Sequence, residues 1–189
     1  MWDCHTHKLL RTFEGHHNFV ENCAWAPDGR VVVSCSLDHT LKTYDVSNGV
    51  NMHTFRGHQS RVSICLFSPD GRTICSSAED GYLKLWESDT GVCINSLELC
   101  QAIEHSEQPE NVLAEWESRA AWGIRFSDDG SLILCSTGIF SLKAWNVHSG
   151  LLQNTYDPLP TFSRTHSESG LSDVFCCSIS PDGSCVVWA

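Results

Sequence analysis

A short pattern recurs along the chain at a fixed interval, and this feature constrains the fold more than any other. Gly15-His16 is followed 42 residues later by Gly57-His58, and Pro27-Asp28-Gly29 is followed at the same interval by Pro69-Asp70-Gly71. The same spacing separates three pairs of an aromatic and an acidic residue, Trp2-Asp3, Tyr44-Asp45 and Trp86-Glu87. A period of about 40–45 residues is typical of repeat units that contain four short strands. The sequence therefore predicts a tandem array.

Within one period, turn signals separate four runs of strand-forming residues. The Pro27-Asp28-Gly29 turn suits a hairpin, because proline fixes φ and glycine tolerates a positive φ. Asp38-His39 and Ser47-Asn48-Gly49 provide the next two turns. The predicted strands are 20–26, 30–36, 40–46 and 50–55. Such a sheet has two apolar faces, so neighbouring units must stack on it, and the fold class is all-β.

The recurring Gly-His, Pro-Asp-Gly and aromatic-acidic motifs resemble those of the WD-repeat (β-transducin-like) family. This resemblance implies a WD-repeat β-propeller with about three full four-stranded blades, partial flanking blades and an incomplete ring. We place the whole of 1–189 in one propeller segment, which we expect to be a fragment or truncated form of a larger protein. The blade units are 15–56, 57–98, 119–156 and, in part, 171–189, with inserts at 99–118 and 157–170. The first insert is acidic, and a short helix is conceivable at 111–119.

The resemblance also implies that a hydrogen-bonded set of His, Ser, Asp and Trp braces each blade. Both complete units separate the His from the Asp by 22 residues. In the third unit Cys135 and Ile139 take the Ser and Asp positions, so the set is expected to be lost there. The bracing residues expected in the first unit are His16, Ser34, Asp38 and Tyr44, and those in the second are His58, Ser76, Asp80 and Trp86.

A hydrolase triad is the alternative interpretation of a His, a Ser and an Asp. A catalytic triad occurs once in a chain, whereas this set occurs twice at identical spacing. A metal site at Cys4, His5 and His7, or at His16-His17, is a second alternative, but no further ligands follow at metal-site spacing. We therefore predict a protein that is not an enzyme and that has no cofactor and no metal.

Charge and composition narrow the classes of partner. The net charge of −11 disfavours nonspecific attraction to nucleic acid or to acidic lipids. No apolar run approaches the roughly 20 residues needed to cross a bilayer. The eleven cysteines form no C-x-x-C pair and lie mostly in strand-like runs, which favours reduced, buried thiols and a cytoplasmic or nuclear location.

A propeller presents its loops on a rigid ring, which suits the docking of proteins and peptides. The family's partner-facing top surface includes the residues after Gly-His and the residue before the bracing Asp. This chain is thus expected to be a protein–protein interaction scaffold. Open edge strands offer a route to self-association. Narrower alternatives are a ubiquitin-ligase substrate receptor, although the Arg expected after the Trp-Asp pair is missing, and the sensor propeller of a larger signalling protein. The predicted partner-binding residues are Phe19, Glu21, Leu37, Arg61, Ser63, Glu79 and Trp122.

Overall fold

The structure, a computed structural model, describes residues 1–99, 121, 123–137, 141–156, 177–180 and 185–188. The elements in these ranges are β-strands. The first sheet contains β1 (Val20–Trp25), β2 (Val31–Ser36), β3 (Leu41–Asp45) and β4 (Asn51–Phe55). The second sheet contains β5 (Val62–Phe67), β6 (Thr73–Ala78), β7 (Tyr82–Glu87) and β8 (Cys93–Glu98). The third sheet contains β9 (Gly123–Phe126), β10 (Leu132–Thr137), β11 (Ser141–Asn146) and β12 (Leu152–Tyr156), and β13 (Cys177–Ile179) pairs with β14 (Val186–Trp188).

Each four-stranded sheet is an antiparallel meander in which consecutive strands pair. The turns between β1 and β2 and between β3 and β4 lie at one edge, which we call the lower edge. The β2–β3 turn and the approach to β1 lie at the opposite, upper edge. In the first sheet, every strand end lies within one residue of the position predicted from the sequence.

An aspartate shapes the turn that joins the first two strands of each sheet. Asp70 Oδ1 accepts hydrogen bonds from the Ser68 hydroxyl at 2.6 Å and the Arg72 amide at 3.0 Å. Asp129 does the same in the third sheet, with Ser127 and Ser131 as donors. The glycine that follows each aspartate has φ near 70°, which only glycine adopts without strain. The recurring turn therefore follows directly from the Asp-Gly sequence.

Neighbouring sheets stack face to face and bury one core between each pair. Val33 and Phe55 of the first sheet pack with Val62, Ile74 and Trp86 of the second. A second core joins the second and third sheets, and it includes Leu83, Leu85, Leu97, Ile133 and Trp145. Stacking of this kind explains why a sheet with two apolar faces is stable. The all-β fold class and the partial propeller are confirmed.

Residues 1–11 repeat the end of a blade. Trp2 pairs with Leu9 as an isolated bridge, as Tyr44 pairs with Asn51 in the β3–β4 hairpin 42 residues later. Asp3 Oδ1 accepts the amides of His5 and Thr6, and the Asp3 carbonyl accepts the amide of His7 at 2.9 Å. Trp2-Asp3 thus opens the same lower-edge turn as Tyr44-Asp45.

Several predicted features lie outside the described residues. These are the insert 157–170, the conceivable helix at 111–119, and the insert 99–118 except for Leu99, which is buried. The cysteine prediction was only partly correct. Cys35, Cys65, Cys75 and Cys135 are buried, whereas Cys4, Cys23, Cys93 and Cys185 are exposed. Within the described ranges, no helix has the length and apolar character needed to cross a membrane.

Candidate functional site

In the second sheet a continuous chain of hydrogen bonds, which we call the bracing chain, links four side chains. His58 Nδ1 lies 2.8 Å from Asp80 Oδ2, and His58 Nε2 lies 2.8 Å from Ser76 Oγ. Trp86 donates its indole N–H to Ser76 Oγ at 2.8 Å. These contacts fit a neutral imidazole that donates from Nδ1 to the carboxylate and accepts the serine proton at Nε2. Each side chain comes from a different element. His58 lies in the loop before β5, Ser76 in β6, Asp80 in the β6–β7 turn and Trp86 in β7.

The first sheet repeats this chain with one change. His16 Nδ1 lies 2.9 Å from Asp38 Oδ2, and His16 Nε2 lies 2.8 Å from Ser34 Oγ. Tyr44, which stands where the second sheet has Trp86, is buried against Phe13 with ring centroids 5.3 Å apart. Burial raises the pKa of Tyr44, and the nearby Ser34 hydroxyl acts in the opposite direction. A phenol therefore occupies the position of the indole without opening a gap.

Backbone amides also hold the two aspartates in place. Asp80 accepts the amides of Gln59 at 2.9 Å and Tyr82 at 3.1 Å. Asp38 accepts the amides of His17 and Thr40 at 3.0 Å, together with the Thr40 hydroxyl at 2.6 Å. Burial alone would raise the pKa of each carboxyl, but these donors and the histidine outweigh it and lower both pKa values. Each aspartate therefore ties the loop before a sheet to the upper-edge turn within that sheet.

The predicted partner-binding residues lie along the upper edge. Leu37 donates its amide to the Phe19 carbonyl at 3.0 Å, and Glu79 donates to the Arg61 carbonyl at 3.2 Å. The Phe19 side chain is 76% exposed. The Ser63 hydroxyl donates to the backbone carbonyl of Ser77 at 3.3 Å. The upper edge thus repeats its backbone geometry from one sheet to the next while its side chains differ.

Charge is concentrated on the upper edge of the second sheet. Arg61 forms an ion pair with Glu79, and Glu21 of the first sheet adds a further negative charge nearby. The hydrogen bond that Arg61 donates to the Glu79 carboxylate raises the pKa of Arg61, so the guanidinium stays charged. Trp122, the seventh predicted partner-binding residue, lies outside the described residues. The structure therefore brings Glu21, Arg61 and Glu79 together on the same edge that carries the exposed Phe19.

Comparison with known proteins identifies the repeat. The model of the WD domain, G-beta repeat (WD40) matches residues 7–45 and 49–87. These stretches contain both hydrogen-bonded His, Ser and Asp sets. The first two repeat units of the chain are WD repeats.

Known WD-repeat and related proteins match the chain over short stretches. WD repeat-containing protein 36 from Homo sapiens is 36% identical over 47 residues, which cover 25% of this chain and 5% of that protein. Histone transcription regulator slm9 from Schizosaccharomyces pombe is 48% identical over 40 residues, which cover 21% and 5%. WD repeat and SOCS box-containing protein 1 from Danio rerio is 42% identical over 53 residues, which cover 28% and 12%. The chain thus spans a small part of each relative's length.

The third WD-type sheet lacks the serine of the bracing chain. Cys135 pairs with Ile124 as Ser76 pairs with Cys65, so it occupies the serine position and is fully buried. Ile139, in the aspartate position, lies outside the described residues. Trp145 packs in the core between the second and third sheets. At the serine position, the third sheet has a buried thiol in place of the hydroxyl.

The protein contains the three residue types of a hydrolase triad, but the serine is not accessible to a substrate. In a triad, the serine hydroxyl must reach a substrate. Ser76 is wholly buried, and its oxygen already contacts His58 and Trp86. Cys4, His5 and His7, weighed as metal ligands, are exposed, and the described ranges contain no group of three or more His, Cys, Asp or Glu side chains placed to hold a metal ion. The arrangement can stabilise a fold, and WD repeats in general serve as non-catalytic modules.

Sequence reasoning missed contacts that support the WD-repeat bracing chains. Thr40 and the amides of His17 and Gln59 hold the aspartates, and Phe55 packs edge-on against Trp86 with ring centroids 5.8 Å apart. A signal for the aromatic contact was present, because Phe13 and Phe55 are themselves 42 residues apart. The amide contacts had no such signal, since backbone groups are common to all sequences.

Proposed function

We propose that this WD-repeat chain is a non-catalytic scaffold for protein–protein interaction. The bracing chains hold the upper-edge turns against their sheets, which reduces the conformational entropy that a partner must remove on binding. Phe19, Glu21, Leu37, Arg61, Ser63 and Glu79 form the proposed docking surface, with Trp122 as a further member from sequence register.

The single observation that carries this proposal is the exposure of Phe19 on the same upper edge as the charged group of Glu21, Arg61 and Glu79. Phe19 is 76% exposed, so its apolar surface is removed from water only when a partner covers it, and that removal favours binding. Aromatic residues and arginine are enriched at the centres of protein interfaces. Rigid backbone around a mixed aromatic and charged surface is suited to recognition of a protein or peptide.

The test compares the proteins that the chain captures in cells with and without this surface. The double variant Phe19→Ala, Arg61→Ala removes the exposed ring and the guanidinium, and quantitative mass spectrometry measures the captured proteins. We expect proteins enriched by the wild-type chain to fall at least tenfold with the variant. A matched control, Arg30→Ala with Leu151→Ala, removes an arginine and an exposed apolar side chain from the lower edge.

The control should retain the partners, because it leaves the upper edge unchanged. An equal loss in both double variants, with both chains folded by circular dichroism, would argue for a different surface. Unaltered capture by the Phe19 and Arg61 variant would refute the proposed one.

Narrower roles are forms of the same proposal. A ubiquitin-ligase substrate receptor and the sensor propeller of a larger signalling protein both require a docking surface of this kind. The net charge of −11 supports a protein partner over nucleic acid. A cytoplasmic or nuclear location belongs to the proposal as well, and the relative named a histone transcription regulator supports the nucleus. Self-association through an open edge strand would compete with partner binding for the same chain.

A further inference from the structure

A cavity of about 300 Å³ lies at the lower edge, between the first and second sheets. It is formed by the two Pro-Asp-Gly turns, by β3 and β4 of the first sheet, and by the turn that follows β7. Binding pockets for small groups in proteins begin near this volume. The apolar part of its lining is Ala26, Pro27, Val31, Met52 and Phe67, and the polar part is Asp28, Thr43, Asp70, Gly71, Arg72, Ser88 and Asp89.

One polar group in the lining is buried without a partner. Thr43 is 1% exposed, and its hydroxyl makes no hydrogen bond with any residue that the structure describes. A buried hydroxyl of this kind destabilises a fold unless something else satisfies it. The equivalent position in the second sheet is Leu85, a buried apolar residue, so the repeat itself does not require a hydroxyl. The hydroxyl is therefore an unsatisfied buried group on a residue that lines the cavity.

The charges in the lining are unbalanced toward the negative. Three aspartates, Asp28, Asp70 and Asp89, face a single arginine, Arg72. Asp28 and Asp70 use one oxygen each, Oδ1, to hold their own turns. Among the described residues, their second oxygens and the whole Asp89 carboxylate are without hydrogen bonds. Arg72 lies within 4 Å of no described carboxylate oxygen, although its charge contributes to lowering the pKa of Asp70. The free acceptors outnumber the one cation.

We propose that this lower-edge cavity binds the side chain of an arginine in a peptide segment of another protein. The guanidinium presents five N–H donors in a planar fork, which matches carboxylate acceptors and an unsatisfied hydroxyl. Its aliphatic stem suits contact with Met52 and Phe67, because arginine keeps its charged end in a polar setting while its methylene groups pack on apolar surface. This site is separate from the upper edge and does not depend on the proposed function there.

The repeat explains why the cavity lies between these two sheets. Both bounding turns carry Pro-Asp-Gly, so two aspartates are placed at the same end of adjacent blades. The corresponding turn of the third sheet has Ser127-Asp128-Asp129-Gly130, and the position matching Thr43 there is occupied by the buried Ala144. Among the three four-stranded sheets that the structure describes, the combination of a buried hydroxyl and paired Pro-Asp-Gly turns thus occurs between the first and second and not between the second and third.

The experiment uses the 189-residue chain and three blocked tripeptides of matched size. The probes are acetyl-Gly-Arg-Gly-amide, the same peptide with citrulline in place of arginine, and the same peptide with glutamate. Two-dimensional ¹H–¹⁵N NMR titration measures the dissociation constant and locates the perturbed amides. We expect the arginine peptide to shift the amides of Thr43, Met52 and Ser88 and to leave those of Phe19 and Arg61 unchanged. Citrulline keeps the shape but removes the charge, so it should bind about tenfold more weakly.

Two variants test the acceptors. Asp28→Asn with Asp89→Asn keeps the Asp28 turn acceptor but removes two charges, and it should weaken arginine binding about tenfold. Thr43→Val removes only the hydroxyl and should weaken binding about threefold. Asp128→Asn is the matched control, because Asp128 is an exposed acid in the third sheet, outside the cavity lining. It should bind the arginine peptide as the wild-type chain does.

Four results would overturn the site. Equal affinity for the arginine and citrulline peptides would show that the charge of the guanidinium does not contribute to binding. Tighter binding of the glutamate peptide would show that Arg72 defines an anion site instead. Shifts confined to upper-edge amides, or no saturable shift at tens of millimolar peptide, would also contradict the proposal. Amide spectra of the free variants report folding, so a loss of binding in a folded variant is attributable to the site.

Discussion

The first and second sheets contain the same residue type at equivalent positions but bury it differently. Val20 begins β1 and is 53% exposed, whereas Val62 begins β5 and is 0% exposed. Cys23 is exposed and Cys65 is buried, although both lie at the same place in their strands. The hydrogen-bonded His, Ser and Asp set has nearly identical geometry in both sheets. The bracing chain is thus set by the repeat, and burial is set by the neighbour.

The physical difference is what covers the innermost strand. The β5 strand packs on β1 and β2, and the Cys65 thiol points to the Asn22 carbonyl at 3.7 Å. Ahead of the first sheet, Phe13 covers Tyr44 as Phe55 covers Trp86, but Val20, Cys23 and Trp25 face solvent. The two sheets therefore separate the contribution of local hydrogen bonds from that of blade stacking.

The largest expected difference in stability is between replacing a buried tryptophan and replacing an exposed one. Trp86 is 1% exposed, contacts Phe55 and His58, and donates to Ser76. Its replacement in Trp86→Ala should lower the free energy of unfolding by about 3–5 kcal/mol, because a large buried ring leaves a cavity. Trp25→Ala is the control, since Trp25 is 53% exposed, and it should change stability by less than about 0.5 kcal/mol.

Urea unfolding monitored by far-ultraviolet circular dichroism measures both values. Similar losses for the two variants would show that the first-sheet tryptophan is covered in solution. That result would break the contrast between the sheets.

A smaller effect is expected from the bracing carboxylate. Asp80→Ala leaves three donors without an acceptor, namely the buried His58 ring and the amides of Gln59 and Tyr82. We expect a loss of about 1–3 kcal/mol, measured as a lower melting temperature. Asp89→Ala is the control, because no described residue donates a hydrogen bond to that side chain, and it should melt as the wild-type chain does. An unchanged melting temperature for Asp80→Ala would refute the structural role of the bracing chain.

The sequence predicted what the repeat determines and missed what the neighbour determines. The turn signals within one 42-residue period located the strands of the first sheet within one residue. It could not distinguish Val20 from Val62, because the two residues are identical and only their tertiary surroundings differ. The unsatisfied hydroxyl of Thr43 was hidden for the same reason. The turn at residues 1–11 was missed because His7 stands where the later units have glycine.

The pH dependence of stability tests the second bracing chain with a smaller effect. Burial is the main cause that lowers the pKa of His58 from 6.5, and Lys84 acts in the same direction while Asp80 opposes it. The unfolded chain therefore binds more protons than the folded chain once the pH falls below about 6.5. Stability should be constant above that pH and decrease below it.

The lowered pKa values of Asp80 and Asp38 have the same sign, so a second decrease is expected below their ordinary value of 3.8. Unfolding by urea between pH 8 and 3 measures both decreases. The variant His58→Gln should lose the first decrease, whereas His5→Gln, which changes an exposed histidine, should retain it. A first decrease that persists in His58→Gln would assign the titration to another group.

The smallest expected effect lies in the turn ahead of the first sheet. His7 has φ of 54°, whereas Gly49, Gly91 and Gly150 occupy the same place in later turns with φ of 79°, 76° and 66°. Side chains other than glycine are strained in this region, so His7→Gly should stabilise the chain by about 0.5–1 kcal/mol. Gly49→Ala should do the opposite, because a Cβ there would also approach the Arg11 side chain to 2.9 Å. Thermal unfolding of the two variants measures both signs. If His7→Gly lowered the melting temperature, the turn at 1–11 would not share the geometry of the turns that close the later hairpins.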